Sequence, residues 1–392
     1  MRGATLRHRP LVPLLLLPVA LLLGGESAQS ARTPTATFRP LGDLPGGIFH
    51  SLSTGVSDDG QVVVGSSYGR NGGLESRAFR WTPPGGMIAL PHLPGATRTG
   101  ANDVSADGRV IVGASGFGDT PIDNRAVRWT STGEIQSLGK LAEVEPGPSD
   151  AHGVSADGSV VVGSSVNEFG GNQAFRWTEA GGMQAIPFLY GGQLFGYAYD
   201  VSADGNTVVG TSEMVFPGGF IFHHRHAFRW TPETSTVDLH PPDWLRDMVG
   251  ASRANAVSPD GRHVVGELEL VSGFFWSPTQ ATTELPTLLT RPAHERYALA
   301  FGVSADGSRI VGSSHLRARK GEPVGRWRAV IWDADRQVQD LQKLLARYRV
   351  RLRGWWLTEA TDVTPDGRTI IGYGKNPAGQ DEGWIVTLPP PQ

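Results

Sequence analysis

Five side chains able to do acid–base or metal chemistry sit in related segments of this chain: Asp103, Asp200, Asp362, His152 and Tyr199. The three Asp each immediately precede the Val of a recurring motif. Brought to one channel, three carboxylates could hold a cation, and with His and Tyr they could serve general acid–base catalysis. Asp also bonds readily to nearby backbone amides, and that local role is the favoured expectation for all three. His223, His224 and His226 share one stretch with no carboxylate beside them, so a solvated loop is expected there rather than a metal site.

Two further groups suit binding rather than turnover. Tyr190, Phe195, Tyr197, Phe216, Phe220 and Phe222 lie on adjoining segments with those His residues and could offer a platform to sugar rings or a protein. Arg317, Arg319, Lys320, Arg326 and Arg328 could attract an anionic polymer, although a solvated face explains them equally well. No nucleophile elbow, phosphate loop or zinc-protease helix occurs. With no Cys in the chain, thiolate catalysis, disulfides and Cys-type zinc sites are excluded. No cofactor is expected.

What must position these groups is a repeat. An Asp-Gly turn recurs at Asp59, Asp107, Asp157, Asp204, Asp260, Asp306 and Asp366, at a period of about 50 residues. Six residues after each Asp stands a strand glycine, Gly163 in the third copy, and further on a strand such as AFRWT at Ala174. Each copy reads as two hairpins, because Asp-Gly and Gly-Gly between apolar runs mark tight turns. The turn Asp are structural, braced by a Ser two residues earlier, and too dispersed to converge. The strand-three Trp column (Trp81, Trp129, Trp177, Trp230, Trp276, Trp332) is core, with the strand glycine expected to make room for it.

Seven four-stranded copies predict an all-β, seven-bladed propeller. The seventh copy lacks a fourth strand, and the orphan segment Phe38–Leu44 matches one, so the N-terminal strand is expected to close the ring beside Trp384–Leu388. Links between strands one and two, and three and four, are short. The variable links therefore share the opposite face, the expected binding face. A short amphipathic helix is expected within 337–357, from Val338, Leu341, Leu344, Leu345 and Tyr348.

Residues 1–30 read as a secretory signal peptide: Arg2, Arg7 and Arg9, an apolar Leu11–Leu23, and cleavage near Ser30/Ala31. The propeller domain then spans 31–392, exported to the periplasm or beyond, with no membrane span and as a monomer. The formal charge of −3 gives no sign of a nucleic-acid partner.

The motif V-S-A-D-G-x-x-V/I-x-G, at Val104–Gly113, Val154–Gly163, Val201–Gly210 and Val303–Gly312, is paired with His226-Ala227-Phe228 and its variants Arg77-Ala78-Phe79 and Gln173-Ala174-Phe175. In these the chain resembles the bacterial HAF-repeat family of extracellular repeat proteins. The resemblance implies export and a repeat fold, sometimes with an autotransporter or surface-sorting attachment that this sequence does not show. It implies no reaction. The expected function is a secreted binding or scaffold module for a glycan, a surface polymer or a protein. The alternative is a carbohydrate-active hydrolase or lyase with its site at the mouth of the axis.

Overall fold

Seven four-stranded antiparallel sheets make up the computed structural model, arranged as the blades of a β-propeller. It describes residues 1, 35–69, 72–117, 123–144, 147–214, 224–241, 250–268, 272–289, 297–316 and 326–390. Within these, the side chains of 72–74, 224, 316 and 326 are left aside. Met1–Thr33 separates from Pro34–Gln392 as a unit of its own; the signal-peptide expectation falls there, outside the described residues.

Blade 1 runs Ser51–Val56, Val63–Gly69, Gly72–Thr82 and Gly86–Ala89, from the axis outward, and blades 2 to 6 repeat that order. Blade 7 has three strands from the C-terminal region, Trp356–Val363, Thr369–Lys375 and Asp381–Thr387. Its outer strand is Thr37–Gly42. Thr37 faces Thr387 and Phe38 faces Val386, as the orphan segment predicts. The seam is fastened like any other junction. Ser51 Oγ accepts from the Gly383 amide (3.2 Å) and donates to Gly42 O (2.7 Å). Ser149 does the same between Ala126 N (3.0 Å) and Gly139 O (2.8 Å).

The apolar core is a set of layers between neighbouring blades. In the layer between blades 3 and 4, Val162 and Ala174 pack with Val201, Val208 and Phe228. Trp129 and Trp332 are wholly buried, and each donates its indole N–H to a Pro carbonyl, Pro91 and Pro286, at 2.7 Å. A buried Trp withdraws ~150–250 Å² from water, roughly 4–6 kcal/mol before ordering entropy is subtracted. The strand glycine serves a different neighbour from the one expected. Gly163 faces Phe175, not Trp177, and a Cβ there would lie 1.9 Å from Asp150 O on the inner strand. It admits a backbone, and the Phe ring second. In blade 7 the Trp column shifts accordingly, and Trp384 faces Gly372.

The 337–357 insertion holds one helix, Leu341–Arg347, capped by Asp340 and buried through Leu341 and Leu345. Val338 is not on it. That residue belongs to the outer strand of blade 6, Val338–Asp340.

Candidate functional site

Every inner strand carries a β-bulge at the same place, and the bulge builds the axial channel. The register shifts between Ser53 and Gly55, Ala101 and Asp103, Ala151 and Gly153, and likewise in the other four blades. A bulge places two successive residues toward the same side of the sheet. Two tiers of axial side chains result. The upper tier, toward the variable loops, is Thr54, Asn102, His152, Tyr199, Asn255, Phe301 and Thr361, around a cavity of about 100 Å³. The lower tier alternates small residues with acids and opens, toward the Asp-Gly turns, into a cavity of about 110 Å³.

The five nominated residues therefore do converge. Asp103, His152, Tyr199, Asp200 and Asp362 all line the upper cavity, and the three Asp line both. Their contacts show what the acids do. Asp103 accepts from its own neighbour Val104 N (2.7 Å) and from Val154 N of the next blade (2.9 Å). Asp200 serves Val201 N (2.7 Å) and Val257 N (2.8 Å); Asp362 serves Val363 N (2.7 Å) and Val56 N (3.0 Å). Each carboxylate thus staples its blade to the following one. The blade before must give way: a Cβ on Gly153 would stand 3.0 Å from the Asp200 Cα. Acids can then occupy only alternate blades, and in a ring of seven, three carboxylates cover six of the seven amides. Among the described residues, the seventh amide, Val303 N in blade 6, has no carboxylate.

Burial pushes all three acids up, Asp200 to about 6 and Asp362 to about 7. Asp103 lies well above the ordinary range, from burial first and then repulsion by Asp200 and Asp362. Among the described residues no three His, Asp or Glu side chains are placed to share a metal ion. The expectation of backbone bonding holds, with an addition: half of it crosses between blades.

Two other rings reinforce the junctions. In the upper tier Thr54 Oγ1 donates to Ala101 O (2.9 Å), Asn102 Nδ2 to Ala151 O (2.8 Å), Asn255 Nδ2 to Ala300 O (3.0 Å) and Thr361 Oγ1 to Ser53 O (3.0 Å). His152 Nδ1 meets Ala198 O at 2.9 Å. Tyr199 and Phe301 make no such latch; Tyr199 stacks with His152 (5.5 Å) and Tyr197 (6.2 Å), under Arg253 (5.2 Å). At the turn face, backbone amides link successive blades: Asp58 to Ala106 O, Ala106 to Ala156 O, Ala156 to Ala203 O, Ala203 to Pro259 O and Ala305 to Pro365 O. Pro259 and Pro365 have no N–H to pass on, which breaks this ring after blades 5 and 7. The turn Asp are local, as expected: Asp157 Oδ1 takes Ser155 Oγ (2.7 Å) and Ser159 N (2.9 Å).

The binding groups predicted from sequence divide differently. Phe216, Phe220, Phe222, His223, Arg317, Arg319 and Lys320 lie outside the described residues, as do the side chains of His224 and Arg326. His226 is not on a loop. It is a strand residue, 2 % exposed, bound to Asp238 Oδ2 (2.9 Å) and stacked on His240 (3.9 Å), because its strand begins at His224. Arg328 is no surface patch either. It packs over Trp356 (3.4 Å), donates to Gln342 Oε1 (2.6 Å) and is 14 % exposed. Tyr197 is half-buried beside Tyr199, its hydroxyl accepting from Asn172 Nδ2 (2.7 Å), and Phe195 lies under Arg225 (5.2 Å).

Tyr190 is exposed as expected, at 72 %, and a residue missed in the sequence joins it: Phe169, at 61 %. Phe169 is the single ring in a polar, Gly-rich link, which was its only signal. Glu359, also missed, is held by Ser313 (3.4 Å) and Tyr373, and burial raises it to about 7.

No protein-family model matches the chain, and comparison with curated proteins gives no match. Among solved structures it is similar to puromycin hydrolase, with a TM-score of 0.52 and 13 % identity, over 90 % of this chain and 52 % of that one. A putative TolB from Agrobacterium tumefaciens aligns at TM-score 0.41 and 14 % identity, over 86 % of this chain and 90 % of that one. A gluconolactonase from Xanthomonas campestris aligns at TM-score 0.42 and 14 % identity, over 93 % of both. The likeness to puromycin hydrolase is one of fold, and the chain spans about half of that enzyme's length.

Proposed function

We propose that this propeller is a binding or scaffold module whose ligand is engaged by the face carrying the variable loops. One observation carries the reading. Among the described residues, every exposed large hydrophobic side chain inside the fold that lies in a connection (Ile48, Phe49, Phe169, Tyr190, Tyr348) lies in a link between strands two and three or between blades. The Asp-Gly and outer hairpin turns have none. Exposed apolar groups gathered on one face mark an interaction surface. The axial cavities, at about 100 and 110 Å³, are small, and each of the three acids lining them is already bonded to two backbone amides.

The HAF-repeat resemblance and the signal-like leader support export of such a module. No helix among the described residues is long and apolar enough to cross a membrane. The purified protein should retain a glycan, surface polymer or protein in a binding screen. Replacing Phe169 and Tyr190 by Ala should abolish retention while the melting temperature holds; unchanged retention would sink the reading. The convergence of Asp103, His152, Tyr199, Asp200 and Asp362 favours the hydrolase or lyase alternative. That alternative requires turnover of a polysaccharide that His152→Ala and Asp200→Asn abolish in a folded ring.

A further inference from the structure

We propose that two adjoining turns, Asn167–Gly170 in blade 3 and Leu189–Gly192 between blades 3 and 4, form a site for a neutral glycan chain. Its sugar rings would stack on Phe169 and Tyr190. This rests on the loop-face reading above and names its ligand.

The two turns are built alike. The Gly170 amide closes on Asn167 O (3.0 Å), and the Gly192 amide on Leu189 O (3.1 Å). Phe169 and Tyr190 therefore stand at turn corners, each followed by a glycine at positive φ, Gly170 (77°) and Gly191 (75°). The aliphatic neighbours turn inward: Val166 and Leu189 are buried. What remains outside is two aromatic rings flanked by glycine, Glu168 and Gln193. Two exposed rings beside amide and carboxylate groups, Phe169 at 61 % and Tyr190 at 72 %, suit a sugar. Its axial C–H edge meets the negative ring face, and its hydroxyls meet the polar flanks.

The turns are also held in place before any ligand arrives. Asn167 Oδ1 accepts from Phe169 N (3.0 Å) and Gly171 N (3.1 Å), and its Nδ2 donates across to Gln193 O (2.8 Å). Asn172 N donates to Leu194 O (2.9 Å). Beneath them Glu213, 1 % exposed, accepts from Gln193 N (2.9 Å) and Leu194 N (2.8 Å) through one oxygen. A surface ordered in advance loses little entropy when it binds.

The test is affinity electrophoresis of the purified full chain through gels holding xylan, galactomannan, mixed-linkage β-glucan or soluble α-glucan, with alginate and heparin as anionic controls. At least one neutral polymer should retard the protein. Phe169→Ala and Tyr190→Ala should each weaken retardation by about tenfold, the worth of one well-placed ring. Phe169→Trp should keep it, and circular dichroism should be unchanged throughout. Retardation by the anionic polymers alone, by no polymer, or equally with and without the rings would overturn the glycan site. The two readings separate by cross-linking: a protein captured at Phe169 and Tyr190 removes the glycan and leaves the loop face standing. A ligand indifferent to both rings removes both.

Discussion

The junction between blades 2 and 3 and the two junctions of blade 6 are made by the same repeat, yet they are secured very differently at the axis. Blades 2 and 3 share all three devices: Asn102 to Ala151 O, Asp103 to Val154 N, and Ala106 N to Ala156 O. Blade 6 keeps one on each side, Asn255 to Ala300 O before it and Ala305 N to Pro365 O after it. The difference teaches that a repeat with an odd count cannot satisfy a rule of alternation. An acid needs a small residue in the blade before it, so one pair of neighbours must both be small. Here they are Ala256 and Gly302. Pro259 and Phe301 fall at the same place in the ring, and the apolar layers packed between blades, such as Val265 and Phe275 against Ile310 and Trp332, hold it together instead.

The largest effect should come from the well-secured side. Asp103→Ala strands the Val104 and Val154 amides, and an unmet buried N–H costs about 1–3 kcal/mol. Denaturant titration at pH 5 should show a loss of roughly 2–6 kcal/mol. A loss under 1 would mean that the staple is ornamental.

Acidity is the next lever. The folded pKa of Asp200 (about 6) and Asp362 (about 7) exceed the unfolded value of 3.8, so the folded ring holds protons that the unfolded chain has released. Stability therefore falls as pH rises from about 4 through 7, at up to about 1.4 kcal/mol per proton per pH unit. The melting temperature should decline from pH 5 to pH 8, and Asp200→Asn with Asp362→Asn should flatten the decline. A rise over that range would contradict the account.

Asn102→Ala and Asn255→Ala each remove one hydrogen bond, about 1 kcal/mol. Only the second removes the last axial bond at its junction. Hydrogen exchange should therefore quicken in Ala298–Val303 for Asn255→Ala, with far less change in Ser149–Val154 for Asn102→Ala. Equal responses would erase the distinction between the two regions. The smallest effect belongs to Pro259→Ala. It supplies an N–H for Ala305 O and adds freedom to the unfolded chain, so the net should lie within about 0.5 kcal/mol of zero. Its readout is slowed exchange at the new amide.

Much of this architecture is legible in the sequence because its determinants are local. An Asp-Gly corner, a Ser two residues before it and an apolar alternation after it suffice for each hairpin. Counting strands at both ends suffices for the closure. The site is less legible, because its contacts pass between copies about 50 residues apart. Nothing beside Asp103 announces that Val154 supplies its second donor. His226 misleads because a strand that starts two residues early draws a loop-like histidine into the core. Arg328 misleads because its partner, Trp356, comes from the next blade. Phe169 hides in a link whose composition reads as polar.

The pairing of Thr37–Gly42 with Asp381–Thr387 has a temporal consequence. Among the described strands the first to be made is matched with the last, so this ring has no circular form until its seventh blade has been translated. Six sheets can assemble in sequence order, but the covering of the first one's exposed flank waits on that final encounter.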